Sequence, residues 1–85
     1  MNNHQSLRIE RKPAVLNRMG LSHATLYRRI NEGIFPPGIS LGKHAVGWLA
    51  HEVDTMLMAF AAGKSTDELQ ATVKSLIEKR KDPIY

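Results

Sequence analysis

The sequence has no cysteine, which excludes disulfide frameworks, thiolate zinc sites and cysteine nucleophiles at once. It has no apolar run near the ~18 residues that a membrane span requires. The polar start, Met1-Asn2-Asn3-His4-Gln5, lacks the apolar core of a secretory signal. Internal repeats and low-complexity stretches are missing, and so is any Ser/His/Asp constellation, Gly-rich phosphate loop or close carboxylate pair. The four histidines, His4, His23, His44 and His51, share no element at ligand spacing, so no metal site is expected. These absences lead us to expect a cytoplasmic protein that is not an enzyme and takes no cofactor, metal or small-molecule ligand.

What is present is one small basic domain. The 85 residues are 42% hydrophobic and 24% charged, an ordinary globular balance, with a formal net charge of +4. A domain of this size buries only about 60–65% of its unfolded surface, which leaves little stability for a deep catalytic cleft. Small basic domains more often bind something acidic and extended. The charge is also uneven. In residues 1–47, Arg8, Arg11, Lys12, Arg18, Arg28, Arg29 and Lys43 face only Glu10 and Glu32. The second half is close to neutral, so the positive field belongs to the first.

Ser6 to Glu10 alternates and predicts a short strand. Pro13 suits the first turn of a helix carrying the apolar stripe Val15, Leu16 and Met19, which Gly20 ends in a left-handed conformation. Ser22 is a good N-cap for a second helix running to about Glu32. Leu21 then occupies two apolar positions at once, beside Leu16 on the first helix and Leu26 on the second. Two helices joined by Gly-Leu-Ser and pinned by one leucine form a helix-turn-helix.

Pro36-Pro37-Gly38 forbids further helix. Ile39-Ser40-Leu41 and Ala45-Val46-Gly47-Trp48 read as a hairpin with Gly42 in its turn. A third helix from about Ala50 places Leu49, Val53, Met56, Leu57 and Phe60 on one broad face. Ser65 and Glu68 have capping-box spacing and open a fourth helix, closed by Pro83, with the stripe Leu69, Val73, Leu76 and Ile77. That stripe either covers the domain's own core or supports self-association. The fold class expected is mainly α: a winged helix-turn-helix with an extra C-terminal helix. We expect residues 1–5 to be disordered, 6–62 to form the DNA-binding domain and 63–85 to be a helical extension.

With Leu26 and Ile30 buried, Arg28 points outward on the second helix, near Ala24, Tyr27 and Asn31. Arginine can pair with guanine edges and asparagine with adenine, while a small residue permits close approach to the major groove. His23 joins this set because the first residues of a recognition helix meet the bases. His23, Ala24, Tyr27 and Arg28 are therefore the candidate base readers. Ser22, Thr25 and Arg29 are candidates for the DNA backbone, as are Arg11 and Lys12 beside the N-terminal amides of the first helix. Lys43 and His44, at the hairpin tip, are the candidate wing contacts. Arg8 and Arg18 need be no more than surface charge. The expected partner is double-stranded DNA, with no membrane, and self-association is left open either on DNA or through Leu69, Val73, Leu76 and Ile77. The competing reading is a protein-interaction adaptor that binds through the fourth helix and keeps the helix-turn-helix as a vestige.

Gly20-Leu21-Ser22, Thr25-Leu26-Tyr27-Arg28, Glu32-Gly33, Phe35-Pro36, Leu41-Gly42, Val46-Gly47-Trp48-Leu49 and Glu52-Val53-Asp54 together resemble the AlpA-like phage and prophage regulators. These belong to the wider group of MerR-like and excisionase-type winged helices, and the likeness covers roughly residues 7–60. The resemblance implies non-catalytic, sequence-specific DNA binding on the nucleoid of a bacterium or phage host. It implies either transcriptional activation of integrase-like genes or an excisionase-like architectural role. The family carries arginine at the wing position held here by His44, a change that makes that phosphate contact weaker and pH-dependent. The helix after Gly63 extends beyond the resemblance.

Overall fold

The first strand begins later than its alternation predicts. In the computed structural model, which describes residues 7–81, β1 is Ile9–Arg11 and leads directly into α1, Lys12–Met19. The expected disorder of residues 1–5 and the stop at Pro83 lie outside the described residues. Next come α2 (His23–Asn31), β2 (Ile39–Gly42), β3 (Ala45–Leu49), α3 (Ala50–Ala61) and α4 (Thr66–Lys79). The strands form one antiparallel sheet in the order β1-β3-β2. The short first strand is thus one edge of the wing sheet, with Arg11 opposite Gly47. This is the winged helix-turn-helix that the sequence predicts, with a fourth helix added.

The turn between α1 and α2 is built from the residues that predict it. Gly20 takes a φ of 67°, and the Leu21 amide donates back to the Leu16 carbonyl at 3.0 Å, which closes α1. Ser22 then caps α2, its hydroxyl oxygen accepting from the Thr25 amide at 3.2 Å. Leu26 is fully buried, and Leu16, Leu21 and Ile30 pack against the same core.

That core is centred on Val15, Leu26, Phe35, Trp48, Val53 and Met56, all fully buried. The indole N–H of Trp48 donates to the Pro36 carbonyl at 2.9 Å, so the largest core side chain leaves no polar atom unpaired. Gly38 lies flat against the Val46 and Trp48 side chains, where a Cβ would collide with Val46. The base of the hairpin is therefore clamped to the core while its tip projects. Leu57 departs from the expected apolar face: it is exposed. On α3 the docked side is Val53, Met56 and Ala59, and Leu57 lies on the flank beyond it.

α4 covers the core. Leu69, Val73 and Leu76 are buried in it and Ile77 packs against it. Of the roles the sequence leaves open for this stripe, the structure supports the covering one, since its apolar side is occupied by the domain's own core. α4 begins with a complete capping box in which the Ser65 amide donates to Glu68 Oε1 at 2.9 Å and the Glu68 amide to Ser65 Oγ at 3.2 Å. Those Ser65 hydrogen bonds, with Lys64 nearby, hold the Glu68 carboxyl below its ordinary range. A carboxyl lowered by folding contributes stability that is complete above its unfolded value and is lost as pH falls through the folded one. An NMR titration should therefore find Glu68 ionising below a free glutamate, with Ser65→Ala moving it up.

Candidate nucleic-acid interface

α2 presents its outward side because Leu26 and Ile30 hold the other side to the core. His23, Ala24, Arg28 and Asn31 are exposed on it, and Tyr27 is half-buried. At its N-terminal end the structure brings three candidates together. Lys12 Nζ lies 3.3 Å from His23 Nδ1 and 5.2 Å from the centre of the Tyr27 ring, and the His23 and Tyr27 rings are 4.8 Å apart. Such proximity of a cation to an aromatic face is itself attractive. Lys12 thereby joins the start of α1 to the start of α2.

The candidates for backbone contact divide. The Ser22 hydroxyl donates to Thr25 Oγ1 at 3.0 Å besides accepting from the Thr25 amide, so both side chains take part in the helix cap. Arg29 turns away from the base-reading candidates and stacks on Phe60 of α3, with its guanidinium carbon 4.5 Å from the ring centre. Arg11 Nε donates to the Val46 carbonyl at 3.0 Å and so braces the start of α1 against the wing. No side chain caps α1 and no acidic residue occupies its first turn, which leaves the positive end of its dipole unopposed beside Arg11 and Lys12. Lys43 and His44 are exposed at the hairpin tip. His44 takes a φ of 62°, a left-handed conformation that histidine enters more readily than most residues.

Three side chains that hold this surface in place were missed as such in the sequence. Arg18 is not idle surface charge. It donates to Glu10 Oε2 at 2.7 Å and to Asp54, tying α1 to β1 and α3. These hydrogen bonds, to Asp54 first, make its guanidinium hold the proton more tightly than a free arginine does. Gln70 Nε2 donates to the Glu32 carbonyl at 3.0 Å, which fastens α4 to the end of α2. Arg80 reaches Glu52, a residue fully buried on α3. Glu10 is 8 positions from Arg18, but Asp54, Glu32 and Glu52 lie 36, 38 and 28 positions from their partners, and each bond crosses between elements, so no helical or strand spacing could reveal it. Among the described residues no group of three His, Asp or Glu side chains gathers to hold a metal ion, and no helix is long and apolar enough to cross a membrane.

An edge strand, a helix-turn-helix with an exposed mixed polar side, a projecting hairpin and a covering third helix define a winged helix-turn-helix protein. Arg28 on the second helix and Lys43 at the hairpin tip are exposed on the elements that such domains turn toward nucleic acid. The chain belongs to the AlpA family: residues 8–57 match the family model described as prophage CP4-57 regulatory protein (AlpA). It is 42% identical over 57 residues to the uncharacterized protein ORF88 of Enterobacteria phage P4, an alignment covering 67% of this chain and 65% of that protein. It is 38% identical over 63 residues to the DNA-binding transcriptional activator AlpA of Escherichia coli strain K12, covering 67% of this chain and 90% of that one. No solved structure gives a significant match.

Proposed function

We propose that this protein is a non-catalytic regulator that binds double-stranded DNA sequence-specifically on behalf of a prophage-type element. The observation that carries the reading is the Ser22-capped α2, held to the core by Leu26, with His23, Ala24 and Arg28 exposed on its outward side. The name of the E. coli relative, a DNA-binding transcriptional activator, supports it. α2 enters the major groove, where His23, Ala24, Tyr27 and Arg28 meet base edges. Arg11 and Lys12, with the free amides of α1, hold one phosphate strand, and Ser22, Thr25 and Arg29 flank α2 on the backbone. Lys43 and His44 place the wing on the backbone or in the minor groove. We take residues 6–62 as the DNA-binding domain and residues 63–85 as its C-terminal extension, of which α4 and Arg80 brace the contacts. Acting in the cytoplasm on the nucleoid, the protein serves as an activator of integrase-like genes or an excisionase-like architectural factor. The position of its site relative to a promoter or an attachment site distinguishes the two.

Fluorescence anisotropy on a panel of duplexes tests the assignment. Arg28→Ala should cost about 1–3 kcal/mol on the preferred sequence and relax preference at one base position. Lys43→Ala should weaken all duplexes alike. Equal losses from both variants on every sequence would remove Arg28 from the base-reading set.

A further inference from the structure

We propose that Lys12 fixes which nitrogen of the His23 ring carries the proton, so that His23 offers a hydrogen-bond donor to DNA and discriminates against cytosine. The inference rests on the DNA-binding reading above and adds to it the chemistry of one position. A lysine ammonium has three donors and no acceptor. Its 3.3 Å approach to His23 Nδ1 is a hydrogen bond only if Nδ1 is the bare, accepting nitrogen. The ring proton then sits on Nε2. Tyr27 holds the arrangement from the side, with its ring 4.8 Å from that of His23 and tilted by 42°, while Lys12 also lies over the Tyr27 ring. His23 is exposed and is the first residue of α2.

A donor at that place addresses the acceptors of the major groove, which are purine N7, guanine O6 and thymine O4. Cytosine presents its amino donor there instead, so two donors would meet. Lys12 acts here as a positioning residue, distinct from any phosphate contact of its own, and the two roles separate by sequence dependence. A lost phosphate contact weakens every duplex equally, whereas a disordered His23 ring loses preference at one position.

The test selects binding sites from randomised duplexes with the wild type, His23→Ala, Lys12→Met and Lys12→Arg. Nitrogen-15 NMR of the histidine rings is recorded on the free proteins. We expect cytosine to be depleted about 3- to 10-fold at one position in the wild type, the worth of one hydrogen bond. That depletion should vanish in His23→Ala, weaken in Lys12→Met and return in Lys12→Arg, which restores a donor. The free wild type should show a bare Nδ1 whose signal moves in Lys12→Met. A protonated Nδ1, or a Lys12→Met variant that loses affinity uniformly with its cytosine depletion intact, would overturn the proposal. Failure of the wild type to select any sequence would instead overturn the DNA-binding reading, and the ring signals would still report on the Lys12–His23 pair.

Discussion

Arg80→Ala should lower the stability of the fold by about 3–5 kcal/mol, the usual consequence of breaking a buried ion pair by removing one of its members. Glu52 is fully buried, and Arg80 meets it with Nη2–Oε1 at 2.6 Å and Nε within 3.2 Å of both oxygens. The same guanidinium donates to the Pro37 carbonyl at 3.0 Å. One side chain at the end of α4 therefore ties together α3 and the entry to the wing. A domain of this size has about 5–15 kcal/mol of stability in all, so the loss should be plain in a urea titration and should lower the melting temperature by roughly 12 °C or more. In a double-mutant cycle, Glu52→Gln with Arg80→Ala should cost less than the two single changes added together, because the pair is lost only once. A cost for Arg80→Ala below about 1 kcal/mol, typical of an exposed pair, would refute the assignment.

The ion pair also marks the boundary of what the sequence reveals. Local signals place the helix-turn-helix: Gly20 and Ser22 act within four residues of their partners, and the capping box at Ser65 and Glu68 does the same. Alternation and turn chemistry locate the wing, although the first strand slides to Ile9–Arg11 because its register is set by pairing with β3, which adjoins it only after folding. The outward side of α2 is equally legible, since it follows from the burial of Leu26 and Ile30. The Arg18 bridge to Glu10 and Asp54, the stacking of Arg29 on Phe60, and the Arg80–Glu52 pair are not legible. Each joins two elements brought together by tertiary packing, and a charged residue in a helix reads as surface until its partner is known. The same reason leaves the stripe of α4 undecided in the sequence, because an apolar stripe shows that something covers it without showing what. Leu57 fails in the opposite direction: its spacing fits the apolar face of α3, but the packed side is narrower than the pattern.

These pairings also set the second large effect. Raising salt from about 50 to 200 mM should weaken DNA binding by roughly 300- to 1000-fold, or about 3–4 kcal/mol, if about five phosphates are neutralised. The first half of the chain has seven cations between Arg8 and Lys43. Arg18 leaves that set, because two carboxylates already face it. Arg29 stays in it, since stacking on Phe60 keeps its charge. Six cations remain, and about five contacts give a slope of log K on log salt near −4 to −5. Arg18→Ala should then leave the slope nearly unchanged while destabilising the fold, whereas Lys43→Ala should reduce its magnitude by about 0.9. The contrast is the informative part: a count of basic residues treats Arg18 and Lys43 alike, and only their surroundings separate a structural cation from one available to phosphate. A slope near zero, or one that Arg18→Ala changes as much as Lys43→Ala does in protein shown to be folded, would contradict the division of charges on which the proposed interface depends.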